Sequence, residues 1–332
     1  MRRALRAALF ISVITTPVAA AQTVIGEAAV AAGHSTQADT SAVATQVRLF
    51  GDVTPTLRFF TEGTWARTSD PEVDAFGTAY PYGNRGHVME AYAEWVVASG
   101  GRVLGLKGGR FRMPFGISSG SDHGYTGFLR APLIRYDGYF AISNNFLEHG
   151  VTVIAGVPRL TVEGSLGAPA DVGAAERRRG VDAVVRVQHH TGPFIVGASF
   201  VRTWPYQSPT FARGRAMFGG IDARWMRGGL QLRGEWLGGR PFDGTTTTGW
   251  YADVILHRVG MGPVTALARV ERLAYEAIPP FDLYATRQTV GARVRLLQGL
   301  AVQANVVKQT GRIARTASTA LDVGIVYSLR QD

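Results

Sequence analysis

The chain has 332 residues, 35 basic against 25 acidic side chains for a formal charge of +10, 41 glycines and no cysteine. Its 46% apolar content is too high for a disordered chain, and its 18% of charged residues lies below the roughly 25% of ordinary soluble domains. The lack of cysteine excludes a disulfide framework and thiolate metal sites, and no run of roughly 18 apolar residues beyond the N-terminus exists to make a helical membrane span.

Arg2, Arg3 and Arg6 precede a mostly apolar segment, Ala7 to Ala21, that ends in Ala19-Ala20-Ala21. A basic start, a short apolar stretch and a small-residue cleavage site describe a secretory signal peptide over 1–21, with Gln22 as the first mature residue. The stretch is too short to serve as a spanning anchor. The expected destination is a periplasm, an outer membrane or the medium.

From there the chain alternates with period two, the mark of half-buried strands. Val43, Val47 and Leu49 oppose Gln46 and Arg48; Leu57, Phe59, Thr61, Gly63 and Trp65 oppose Arg58, Glu62 and Thr64. Met89, Ala91, Ala93, Trp95 and Val97 oppose Glu90, Tyr92 and Glu94. Leu160 and Val162 oppose Thr161, Glu163 and Ser165; Val181, Ala183, Val185 and Val187 oppose Asp182, Arg186 and Gln188. Ile221, Ala223 and Trp225 oppose Asp222 and Arg224; Leu230, Leu232 and Trp236 oppose Gln231, Arg233 and Glu235. Trp250, Ala252, Val254 and Leu256 oppose Asp253 and His257; Val264, Ala266, Ala268 and Val270 oppose Thr265, Arg269 and Glu271. Val290, Ala292 and Val294 oppose Arg287, Thr289, Arg293 and Arg295; Leu321, Val323, Ile325 and Tyr327 oppose Asp322, Gly324 and Ser328. Glu90 and Glu94 would also suit one face of a helix over 88–98, but the repetition of the strand pattern overrides that local reading.

The connections alternate between short turns and longer links. Short turns fall at 51–55, 99–101, 156–158, 191–193, 227–229, 260–263 and 298–299. Longer links fall at about 33–41, 67–87, 114–147, 168–179, 204–215, 239–247, 276–283 and 312–317. Seven short and eight long links imply sixteen strands with both termini on the short-turn side. An even strand number with loop lengths segregated by end predicts an all-β fold, a transmembrane antiparallel β-barrel of about sixteen strands in an outer membrane. A soluble β-sandwich would not sort its loops in this way.

The polar face carries too many ionisable side chains for a dry core, so it is expected to line water while the apolar face meets lipid. Trp65, Trp236 and Trp250 fall on apolar faces at the long-loop ends, and Trp95, Trp225 and Tyr327 at the short-turn ends. Two aromatic girdles at two membrane interfaces account for that sorting. A barrel of about sixteen strands leaves an aqueous channel. The longest link, Pro114–Leu147, is the third long loop and holds Phe115, Tyr125, Phe128, Arg130, Arg135, Tyr136, Tyr139 and Phe140. A loop of this length is usually functional, and this content suits a constriction folded into the channel, where a wide lumen must be narrowed to select solutes; the alternative is an external cap.

Leu106-Lys107-Gly108-Gly109-Arg110-Phe111-Arg112-Met113-Pro114-Phe115-Gly116 resembles the strand leading into the constriction loop of the phosphate-selective porin O/P-like family, and Asn144-Asn145 with Glu148-His149-Gly150 extend the likeness loosely. The resemblance implies a commonly trimeric outer-membrane channel whose third loop narrows the pore. It also implies Arg110, Arg112, Arg130 and Arg135 as the positions that would attract anions. The chain departs from that pattern in holding only Lys107 and Lys308 as lysines, and in ending Tyr327-Ser-Leu-Arg-Gln-Asp332 rather than in Phe. Acids and bases are interspersed on the expected lumen wall: Arg287, Arg293 and Arg295 on one strand face form the best local cationic stripe, and Arg233, Arg269, Glu90 and Glu94 are expected to face the lumen as well. Lys107 and the pair Arg110/Arg112 have opposite strand parity, so either Gly108-Gly109 forms a bulge, which the two glycines favour, or one set faces outward at the interface.

Enzyme motifs are sparse. Gly116-Ile-Ser-Ser-Gly120 matches the hydrolase elbow G-x-S-x-G, which requires a strand–turn–helix setting that this loop does not offer. A barrel hydrolase using Ser118 with His123 or His149 is the second function class, and a non-conducting adhesin or structural barrel the third. His189-His190 reads as a polar turn without a third metal ligand. The pI of about 10.3 would suit nucleic acid, but export and the mixing of arginines with acids oppose it. The expectation is a non-enzymatic porin without cofactor or metal. Its partners are outer-membrane lipid, small hydrophilic solutes or inorganic anions, and two further copies in a homotrimer.

Overall fold

The computed structural model describes residues 24–69, 85–117, 127–130, 132–135, 147–169, 181–203, 216–240, 246–276, 283–311 and 318–331. The leader expected over 1–21 lies outside them, as do Ser118, His123, Tyr125, Tyr136, Tyr139, Phe140, Asn144 and Asn145. Sixteen strands follow one another: β1 Val24–Ser35, β2 Thr40–Asp52, β3 Leu57–Thr68, β4 Arg85–Ser99, β5 Arg102–Arg112, β6 Leu147–Val157, β7 Leu160–Pro169 and β8 Asp182–Thr191. The second half comprises β9 Phe194–Thr203, β10 Ala216–Arg227, β11 Leu230–Arg240, β12 Thr246–Leu256, β13 Val264–Glu276, β14 Leu283–Leu297, β15 Leu300–Gly311 and β16 Ser318–Gln331. Each pairs antiparallel with its chain neighbours, and β1 pairs with β16 to close the barrel.

Closure explains the fold's strand bounds. With a partner on each side, the backbone N–H and C=O groups of a strand are satisfied all along its length, so a ladder runs on past the point where polar residues suggest a turn. The first long link is accordingly 36–39 rather than 33–41, because Gly33 still pairs with Ala42 and Ser35 with Thr40. In the other direction, the short connection before β13 is longer than expected and holds a 3-10 turn at Val259–Met261.

The alternation sorts side chains across the wall. On β14, Val290 is 63% exposed while Arg287 is 1% exposed. On β12, Trp250, Val254 and Leu256 are exposed while Tyr251, Asp253 and Ile255 are buried. The tryptophans sit outward at the strand ends: Trp236 pairs with Trp250 on the outer face near the long loops, and Trp225 packs against Phe194 at 6.1 Å near the short turns. An arginine at outward, mid-strand Val290 should therefore cost roughly 2–4 kcal/mol of barrel stability in a bilayer. Urea unfolding of V290R in lipid vesicles measures it, and a change below about 0.5 kcal/mol would contradict the lipid-facing assignment.

Three local expectations are corrected. Met89 does not belong to the outer face: the register slips between Glu62↔Glu90 and Gly63↔Val88, so Met89 is the extra residue of a bulge and is fully buried while Val88 is exposed. No bulge occurs at Gly108-Gly109, where pairing with β4 and with β6 is continuous. Lys107 therefore faces inward and Arg110 outward, and the register slip of this region lies on the neighbouring strand β4. Finally, the inner face is not uniformly polar. Val184, Val201, Phe218, Leu237, Leu267 and Leu273 all point inward and are buried, which requires something apolar inside the barrel.

Candidate functional site

That inner partner is the third long loop. Pro114 ends β5, since it has no N–H to continue the ladder, and Phe115 N–H donates back to the Met113 carbonyl at 2.8 Å. Gly116 takes φ +58°, and a Cβ there would overlap the Glu235 carboxylate; both facts reserve the position for glycine. The turn lays the chain along the inside of the wall. Met113, Phe115, Ile117 and Ile134 pack with Val184, Val201, Phe218, Leu237 and Tyr251 in one buried cluster. Phe128 joins Ile255 and Leu267 in a second.

A loop lodged in a lumen carries backbone donors that a strand ladder would have satisfied. Here the wall accepts them. Gly116 N–H donates to Ser199 Oγ at 3.1 Å, Ile117 N–H to Glu235 Oε2 at 3.2 Å, Leu129 N–H to Asn305 Oδ1 at 2.8 Å and Leu133 N–H to Glu271 Oε2 at 2.5 Å. The acids that alternate along the inner face therefore hold the loop as well as charging the inner wall.

Arg130 is the hub of this attachment. Its Nε and Nη2 donate to the two oxygens of Asp322 at 2.6 and 2.8 Å, its Nη1 to Gln37 Oε1 at 2.6 Å, and Nη2 also to Ser35 Oγ at 3.1 Å. Its own carbonyl accepts from Arg269 Nη1 at 3.0 Å. Ser35 ends β1 and Asp322 lies on β16, so one guanidinium bridges the two strands whose pairing closes the barrel.

Along the wall beside the loop, guanidiniums and carboxylates pair strand to strand: Arg186 with Asp222 at 2.9 Å, Arg233 and Arg269 with Asp253 each at 2.6 Å, and Arg287 with Glu271 at 2.7 Å. Arg269 also stacks 3.9 Å over Phe128 of the loop. On β2–β5 a second network joins Arg48 to Glu62 at 2.8 Å, and Arg112 to Glu62 at 2.6 Å and to Glu90 at 2.5 Å. Glu62 and Glu90 face each other in register, and Arg112 neutralises the pair. Lys107 projects inward over Phe111 at 4.6 Å and Tyr92 at 5.2 Å.

The expected site residues divide on this geometry. Arg112 reaches the lumen, where it bonds two acids. Arg130 lies inside but is only 4% exposed and anchors the loop. Arg110 shares the outward parity of Leu106, pairs in register with exposed Ala91 and His149, and donates from Nε to the Met89 carbonyl at 3.2 Å. It does not reach the lumen, because β5 pairs without a slip through Gly108-Gly109 and so keeps Arg110 on the face of Leu106. The backbone of Arg135 closes the 3-10 turn Leu133–Arg135, and its side chain lies outside what is described. Arg287, Arg293, Arg295, Arg233, Arg269, Glu90 and Glu94 all face inward, as the parity predicts. Arg287 and Arg269 are buried, however, and Arg295 is the exposed member of the expected stripe. The expectation that lumen charges must all line water fails for the same reason: pairing and the loop cover them together. Sequence reasoning missed Asp322, Glu235 and Asn305 as loop supports. Their parity marked them as inward, but nothing local says which loop atom they meet.

No family model and no curated protein matches the chain. Solved structures do resemble it. The anion-selective porin of Comamonas acidovorans has TM-score 0.65 at 14% identity, over 93% of this chain and 99% of that one. OmpF of Salmonella typhi in complex with daunomycin has TM-score 0.65 at 13% identity, over 93% and 97%. The outer-membrane-expressed OmpT of Vibrio cholerae has TM-score 0.62 at 12% identity, over 93% and 97%. At such identities the likeness is one of fold: a closed barrel of the outer-membrane porin kind.

Proposed function

We propose that this chain is an outer-membrane porin, exported with residues 1–21 removed, whose barrel passes small hydrophilic solutes by diffusion with a preference for anions of the phosphate type. The observation that carries the reading is the third loop held inside the closed barrel by four backbone N–H bonds to wall side chains. In this reading the loop narrows the lumen, as a wide channel requires if it is to select solutes. The preference for anions follows from unequal burial. Among the described residues, eight inward carboxylates are buried (Glu62, Glu148, Asp182, Asp222, Glu235, Asp253, Glu271 and Asp322) against four arginines, Arg130, Arg186, Arg269 and Arg287. Among the described inward strand residues that are not buried, Arg48, Arg58, Lys107, Arg112, Arg224, Arg233, Arg293 and Arg295 outnumber Glu27, Asp52, Glu90, Glu94 and Glu163. Fixed positive charge in a low-dielectric channel raises the local anion concentration. A homotrimer belongs to the same reading, and one structure of the Vibrio cholerae protein is of a trimer form.

The test is reconstitution in a planar bilayer under a KCl gradient. Stepwise conductance with a reversal potential of the sign set by chloride is the expected result. No conductance would overturn the channel, and a cation-selective potential would overturn the preference. The hydrolase reading loses its geometry on one arm. His149 is exposed on the outer face of β6, while Gly116 and Ile117, next to Ser118, are seated in the lumen. His189 and His190 are successive residues of β8 and point to opposite faces, so they form no chelating pair.

A further inference from the structure

The outer face of the barrel carries a charge asymmetry that a channel does not need. Among the described strands every carboxylate faces the lumen except Glu276, yet exposed cations stand outward at the long-loop ends: Arg67, Arg202, Arg240, Arg272 and Lys308. An outward charge in the hydrocarbon would be costly, so these side chains mark the headgroup level. Their level is fixed independently by the upper tryptophans, since Arg272 pairs in register with Trp250, and Trp250 with Trp236.

Two of the cations share one row. Arg202 on β9 and Arg240 on β11 both pair with Met217 of β10. Strands lie about 4.8 Å apart, so the two Cα atoms are separated by about 10 Å, with a thioether between them. Among the described residues, the carboxylate nearest along that row, Glu276, is beyond Thr246, whose hydroxyl donates to it. Like charges at this spacing repel each other unless an anion lies between them.

The next row toward the membrane is of a different kind. It reads Phe200, Gly219, Gly238 across the same three strands. A Cβ built at Gly219 would meet nothing within 4 Å, whereas at Gly238 it would touch the Trp236 ring, which folds over that residue. Gly219 is thus the floor of a trough one strand wide, between exposed Phe200 and the Trp236 ring. It opens downward toward the lipid and upward onto the two arginines.

A paired cation site directly above an apolar trough matches one chemistry: a phosphate group attached to an acyl chain. Guanidiniums take phosphate oxygens in a fixed, two-pronged geometry, and an aromatic-walled trough takes a hydrocarbon chain. We propose that Arg202 and Arg240 bind the phosphate of an outer-leaflet lipid headgroup, with one of its acyl chains along Gly219 between Phe200 and Trp236. This rests on the membrane orientation of the proposed porin but not on its conductance. A bound lipid there would immobilise β9–β11, the wall against which Phe115 and Ile117 are packed.

The test uses the full barrel in detergent, with a diphosphorylated glycolipid, the same lipid dephosphorylated, and inorganic phosphate as probes, followed by native mass spectrometry. The glycolipid should be retained and the dephosphorylated form should bind at least about tenfold more weakly, the loss of one or two charge-assisted contacts. Arg202→Gln/Arg240→Gln should lose glycolipid to the same extent, while Arg67→Gln, on distant β3, should not. Gly219→Leu, which fills the trough, should weaken the glycolipid and leave any phosphate binding unchanged. Equal retention by wild type and the double variant would overturn the site. Displacement of the glycolipid by millimolar phosphate with no effect of Gly219→Leu would overturn the lipid in favour of a free anion. Planar-bilayer conductance of the same variants, expected to be unchanged, shows that they are folded. A wild-type barrel that retains the glycolipid but never conducts, with a double variant that loses the lipid at an unchanged β-sheet circular-dichroism spectrum, would sink the porin and keep the lipid site.

Discussion

Arg130→Ala is expected to release the third loop from the seam of the barrel. Asp322 is 0% exposed and bonds Arg130 twice, with Ser35 Oγ donating to the same carboxylate at 2.6 Å. Removing the guanidinium leaves a buried carboxylate facing one hydroxyl, and breaking a buried ion pair from one side costs about 3–5 kcal/mol. The deficit falls on β1–β16, the contact that closes the ring, so cooperative unfolding should begin at a lower urea concentration. Because Arg130 also ties down the loop, single-channel current should become larger or noisier. The double variant Arg130→Met/Asp322→Asn separates these effects. Removing both charges should restore most of the stability, since a buried pair contributes little net against neutral groups of similar volume, while the current stays altered because the loop has still lost its tether. A stable Arg130→Ala barrel with unchanged conductance would show that the hub does not hold the loop.

Glu271→Ala should be as damaging from β13, three strands along the wall from Asp322. Glu271 is fully buried, accepts from Arg287 Nε at 2.7 Å and from Leu133 N–H at 2.5 Å. It therefore couples a strand-to-strand ion pair to the loop backbone. Alanine removes the carboxylate beside Arg287, itself 1% exposed, and the acceptor of the loop N–H, with a combined cost of about 3–5 kcal/mol. Glu271→Gln keeps an acceptor for Leu133 and removes the charge opposite Arg287. It should recover the loop-dependent current but not the full stability. If alanine and glutamine variants conduct alike, the Leu133 bond does not position the loop.

Both substitutions act on a loop whose attachment could not be read from local sequence. Arg130 and Asp322 are 192 residues apart, and Leu133 and Glu271 138. Parity alone says that Asp322 and Glu271 point inward. Only the closed ring, with β16 returning to β1, says that a loop leaving β5 meets them. The residue types did announce that something must be met. Pro114 stops a strand, Gly116 permits the turn, and Phe115 and Ile117 need apolar cover that the inner positions Phe218 and Leu237 supply. Those apolar inner positions were hidden in the sequence because each reads as an interruption of a polar face rather than as part of a second surface.

Arg110 illustrates the opposite failure. Its neighbours and its charge place it with Arg112, and a bulge at the two glycines would have brought both inward. The extra residue is instead Met89 on β4, where nothing in composition distinguishes it from the outward residues that follow. A single inserted residue reverses the facing of everything on one side of it, so such a slip is decided by pairing and not by the strand's own pattern.

The sequence by itself determined that the chain is a β-barrel with sixteen strands, which side chains lie on which face of most strands, and where the two aromatic girdles stand. These follow from period two and from the segregation of short and long links, both local properties of the chain. Tertiary structure alone decided which inward charges are buried and which remain accessible, how the third loop is held, and which outward arginines share a row above an open glycine. Each of these depends on strand registers set around a closed ring, in which residues more than a hundred positions apart become hydrogen-bonding neighbours.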